Sequence, residues 1–85
     1  MNERPFATTD FWLSVYLRYK GFTFLGIQPS LFGTRKEFCF TDSDLLRDAK
    51  HKYFSECTMV EPRAFCVESQ KLKALLYGGQ EVSHG

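Results

Sequence analysis

The sequence predicts a small α+β domain in which three helices pack on a small antiparallel sheet, a hairpin plus one or two short strands. Two aromatic runs of period two lie at residues 22–27 and 36–41, separated by a Pro- and Gly-marked segment. That is the pattern of a hairpin. Three further stretches carry helix starts, helix stops and apolar residues at helical spacing. The predicted order is β-α-β-β-α-(β)-α. Nine Phe, four Tyr and one Trp among 85 residues supply a ring-rich core, since aromatic side chains bring large apolar area at low rotamer cost.

Phe6-Ala7-Thr8 is predicted to be a short strand, with Pro5 tolerated at its start. Thr9 or Asp10 caps the first helix, which runs to about Lys20 and stops at Gly21. Its polar positions, Asp10, Ser14 and Arg18, lie four apart and make one narrow stripe. A helix so crowded with apolar residues should be surrounded, by its own fold or by a partner. In the strands, Phe22 and Phe24 should share a face with Phe38 and Phe40, while Thr23, Leu25 and Ile27 point the other way. Residues 28–35 form the connecting loop, which holds the apolar Leu31 and Phe32.

Asp42 is the expected cap of the second helix, whose inner side is read as Leu45, Leu46, Ala49 and Tyr53. Residues 57–60 could add a short edge strand. Pro62 opens the third helix, with Phe65, Leu72, Leu75 and Leu76 on one face and Gly78-Gly79 at its end. Residues 1–79 are expected to form one domain and residues 80–85 a flexible tail.

Composition limits the function classes. Hydrophobic content of 44% and charged content of 25% fit an ordinary globular domain. A net charge of +1 is no footprint of nucleic-acid binding by charge alone, so any such binding needs local clustering. Cys39, Cys57 and Cys66 are odd in number and contain no Cys-x-x-Cys pair, which fits reduced thiols and a cytoplasmic location. The amino-terminal residues lack the apolar core of a signal peptide, and no membrane span is expected.

The chain resembles a family of small uncharacterised proteins, a domain of unknown function found in bacteria, phages and plasmids. The resemblance rests on Phe6-Ala7-Thr8-Thr9-Asp10, Lys20-Gly21-Phe22, Phe40-Thr41-Asp42-Ser43, Val60-Glu61-Pro62-Arg63-Ala64-Phe65 and Leu72-Lys73-Ala74-Leu75-Leu76-Tyr77. It implies a phage or mobile-element setting and no catalytic residue. Residues 28–35 look longer than the corresponding loop of that family.

Catalytic and metal-binding chemistry finds little support. Asp42 and Asp44 stand where helix capping explains them. Cys57 or Cys66 could pair with His51, a combination that three Cys and two His produce by chance. No catalytic residue, metal site or cofactor is expected.

The basic residues carry the functional reading. Arg47, Lys50 and His51 share a helix face, Lys52 borders it, and Arg35 and Lys36 end the loop. Such residues suit phosphate contacts that are independent of sequence. If the hairpin's Phe face were bare, its four rings could stack bases; otherwise they are core. The expected function is therefore a non-enzymatic, nucleic-acid-binding accessory factor of a phage or mobile element. The alternative is a protein-interaction module, such as a phage-encoded inhibitor of a host defence protein. It would use Trp12, Tyr16, Tyr19, Leu31 and Phe32, with homodimerisation through the first helix as one form.

Overall fold

The computed structural model describes residues 5–30, 35–55 and 59–78. The elements are β1 (Phe6–Thr8), α1 (Phe11–Tyr19), β2 (Phe24–Pro29), β3 (Lys36–Phe40), α2 (Asp44–Ser55) and α3 (Pro62–Gly78). The α+β class is thus as the sequence predicts, with an antiparallel hairpin and three helices. Met59 and Val60 belong to no strand. Cys57 and Thr58, the rest of the expected edge strand, lie outside the described residues, as do residues 80–85.

β3 is the central strand of a sheet ordered β1-β3-β2, antiparallel to both neighbours. Phe40 stands opposite Phe6 on one side and Phe24 on the other. Thr8, Phe38 and Ile27 form the next row on the same face. Phe38 and Phe40 are buried, and Phe6, Phe24 and Ile27 pack against the same core. The Phe face of the hairpin is therefore core, and the base-stacking platform is ruled out there. The opposite face presents Ala7 and Leu25, both exposed.

Ile27 corrects the expected alternation of β2. Phe24 pairs with Phe40 and Gly26 with Cys39, so Leu25 is one residue too many for the ladder. This bulge reverses the parity beyond it and brings Ile27 to the Phe24 face. Gly26 holds the bulge at φ +132°, and a Cβ there would meet nothing within 4 Å. The backbone conformation alone is what requires glycine. Gly26→Ala is therefore expected to cost about 1–3 kcal/mol. Urea denaturation followed by circular dichroism measures it; a midpoint equal to wild type would show that the bulge relaxes freely.

α1 runs over this sheet face and is enclosed by it. Asp10 caps it by accepting from the Leu13 amide at 3.0 Å. At the other end the Gly21 amide donates to the Arg18 carbonyl and the Phe22 amide to the Leu17 carbonyl, with Gly21 at φ +94°. That is a Schellman stop. Five successive residues, 13–17, are buried. The narrow polar stripe does not face water: Ser14 is 0% exposed, with its hydroxyl satisfied by donating to the Asp10 carbonyl at 2.9 Å. Arg18 reaches the Glu68 carboxylate at 3.1 Å, with its guanidinium 4.8 Å from the Phe24 ring centre. Phe11 meets Phe38 edge-on at 6.1 Å. The 11/14/18 stripe thus lies over the sheet.

The other two helices flank α1. α2 packs Tyr53 against Tyr16, ring centres 5.2 Å apart, and buries Leu46 and Ala49. Its cap is Ser43, not Asp42, because the helix starts at Asp44 and the Ser43 hydroxyl accepts from the Leu46 amide at 3.1 Å. Leu45 is 74% exposed, since it sits about 100° round the helix from Leu46. α3 packs on α1 through Phe65, Leu72 and Leu76. Leu75 is half-exposed, one position off that stripe. The Glu61 carboxylate caps α3 through the Ala64 amide at 2.7 Å, and the Glu61 amide donates to the Tyr19 hydroxyl at 2.8 Å.

Candidate nucleic-acid interface

Helical spacing decides which cations of α2 meet. Leu46, Ala49 and Tyr53 make the inward stripe. Arg47, Lys50, His51 and Phe54 follow at i, i+3, i+4 and i+7, all on one flank of it. Lys52 falls on the other flank and pairs with Asp48 at 3.4 Å. The expected set of four is thereby reduced to Arg47, Lys50 and His51.

Phe6 of β1 faces this flank, with the Lys50 ammonium 5.4 Å from its ring centre. Together Phe6, Arg47, Lys50, His51 and Phe54 line a groove of about 420 Å³. Phe54 is 61% exposed, held edge-on against Tyr53 at 5.1 Å. An ordered ring is thus available beside three basic side chains. Arg47 is oriented by Asp42, donating from Nε to Oδ1 at 3.2 Å and from Nη2 to Oδ2 at 2.7 Å. This bidentate bond holds the Asp42 carboxyl below its ordinary range. Two of the five guanidinium donors are used, which leaves about three for a ligand.

Comparison with family models, curated proteins and solved structures finds no match.

Arg35 and Lys36 do not join this groove. They stand at the start of β3 and line a second one of about 430 Å³, with Thr9, Phe11, Phe38, Leu76 and Tyr77. Tyr77 is 73% exposed. Each candidate basic cluster is therefore accompanied by an exposed ring from a helix.

The candidates for a partner surface are dispersed. Tyr16 is buried in the chain's own core and is withdrawn from that role. Tyr19 is half-buried and holds the start of α3 through its hydroxyl. Trp12 stacks on Phe65 at 6.1 Å with 13° between planes, and stays 48% exposed. Leu31 and Phe32 lie outside the described residues. The ring-rich first helix is thus covered mainly by its own sheet and helices.

Two carboxylates, on α2's approach and on β3, already have partners. Asp42 is held by Arg47, and Glu37 accepts from the Gln28 amide at 3.3 Å across the strands. Burial first, and the Glu37 carboxylate second, push the Cys39 thiol up, which makes it a poor nucleophile. Cys66 is exposed. Cys57 lies outside the described residues. Among the described residues no group of His, Cys, Asp or Glu is arranged to hold a metal ion, and no helix is long and apolar enough to cross a membrane.

Phe6 and Phe54 are the groove residues that the basic cluster alone does not suggest. Phe54 was available from spacing, three and four residues beyond His51 and Lys50 on the same face. Phe6 was not, because it arrives from a strand whose place in the sheet depends on tertiary pairing.

Proposed function

We propose that this protein is a non-enzymatic, nucleic-acid-binding accessory factor of a phage or other mobile element. The observation that carries the reading is the convergence of Arg47, Lys50 and His51 with the exposed Phe54 ring around one groove. Cations neutralise phosphates and release counterions, while an exposed ring offers a face to a base. A net charge of +1 is compatible with this, because the basic side chains are locally gathered: Asp42 is the acid paired with the groove, on Arg47, while Asp48 and Glu68 pair outside it with Lys52 and Arg18. The mobile-element setting rests on the family resemblance alone.

Fluorescence anisotropy with labelled single- and double-stranded DNA and RNA tests the reading. Binding is expected at about 50 mM salt, and log K should fall against log salt with a slope of about −1.4 to −3.5, as two to five cations engage a single strand. Absence of binding to every nucleic acid at low salt would overturn it.

A further inference from the structure

Building on that reading, we propose that the ligand is a single strand which occupies both basic grooves at once, crossing β1 between them, with one base on Phe54 and another on Tyr77. The two grooves share a composition. One offers Arg47, Lys50 and the Phe54 ring, the other Arg35, Lys36 and the Tyr77 ring. Both rings are more than half exposed.

The two grooves reach β1 at nearby residues. Phe6, the first residue of β1, lines the first groove, and Thr9, the residue after its last, lines the second. Three residues of extended chain span at most roughly 11 Å. A stacked strand advances about 3.4 Å per nucleotide and an unstacked one more, so at most about three nucleotides bridge that distance. One or two more in each groove give a site of up to about 7 nucleotides, within the range known for small single-strand binders.

The rings select the strandedness. In a duplex the bases are stacked on one another and offer no face to a side chain. A groove with a cation at its wall and a free ring at its mouth therefore gains more from an unpaired strand. Every base has such a face, so the site should tolerate sequence. DNA and RNA share this chemistry, and the experiment separates them.

Anisotropy is measured with labelled oligo(dT) and oligo(U) of about 3, 6 and 12 nucleotides and with a duplex of about 12 pairs. Affinity is expected to rise steeply between the 3- and 6-nucleotide strands and then level off. Tyr77→Ala and Phe54→Ala should each weaken the 6-nucleotide complex by about 5- to 150-fold, the usual range for loss of one base stack. Tyr77→Phe should retain binding, because it keeps the ring. The double variant Arg35→Gln/Lys36→Gln should lower the magnitude of the salt slope by about 1.4. All these side chains are exposed, and circular dichroism confirms that each variant keeps the fold.

Wild-type binding by Tyr77→Ala and by the Arg35/Lys36 variant, beside a defect in Phe54→Ala, would overturn the two-groove inference and leave the single groove standing. Tighter binding of the duplex would overturn the choice of a single strand. Absence of any binding would overturn both this inference and the reading it rests on.

Discussion

Phe40→Ala is expected to unfold this protein or bring it close to unfolding. Phe40 is fully buried at the end of the central strand. It has Phe6 on one side and Phe24 on the other, the latter ring 5.2 Å away and edge-on. Truncating a buried Phe costs about 3–5 kcal/mol, because the transfer free energy is lost and the cavity does not close. At 0.05–0.15 kcal/mol per residue, an 85-residue domain has roughly 4–13 kcal/mol in all. The loss is therefore a large share of the total. Urea denaturation monitored by circular dichroism checks it. Phe54→Ala is the control: the same deletion on an exposed α2 position should change stability by at most about 1 kcal/mol. Equal costs at the two sites would mean that Phe40 is not the centre of the core.

The local signals in the sequence were legible where a single residue type performs a local task. Asp10 caps α1, Gly21 stops it in a left-handed conformation, and Pro62 opens α3, each as its chemistry dictates. The hairpin also follows from its alternation. What local patterning misread were cases decided by tertiary context. The crowding of α1 predicts its enclosure but not what satisfies its polar stripe, in which Ser14 is fully buried. Its hydroxyl is satisfied within α1, and Arg18 is neutralised by Glu68 from α3. Ile27 changed face because of a bulge, a feature that strict alternation cannot contain. Helical spacing places Leu45 and Leu75 on the inner faces, but each lies beside a stripe already filled by a neighbour.

The candidate site divides in the same way. Helical spacing alone joins Arg47, Lys50 and His51, and the same arithmetic separates Lys52 from them. Phe6 enters only because β1 pairs with β3 rather than with its neighbour in sequence. The separation of Arg35 and Lys36 into a second groove likewise depends on where the end of α3 meets the start of β3.

Leu72→Ala should release α3 from the rest of the molecule. Leu72 is the one large apolar residue of α3 that is fully buried, among the described residues. Around it the attachment consists of half-buried Phe65 and Leu76, the Arg18–Glu68 pair and the Tyr19–Glu61 hydrogen bond. Paired charges and single hydrogen bonds at partly exposed sites contribute about 1 kcal/mol each. Removing Leu72 is expected to cost about 2–5 kcal/mol, more than any of these can offset. The loss should be local before it is global, since α2 reaches α1 through Tyr53, Leu46 and Ala49 and not through α3. Native-state hydrogen exchange reads this directly: the amides of α3 should lose about 2–5 kcal/mol of protection while those of α2 and β3 lose less. Tyr77 belongs to α3, so the second groove should weaken together with its helix, whereas the groove on α2 keeps its shape. Equal loss of protection in α2 and α3 would instead make the three helices one cooperative unit. In that case the two grooves could not be uncoupled by any change in the core, and surface variants at Phe54 and Tyr77 would be the only means of separating their contributions.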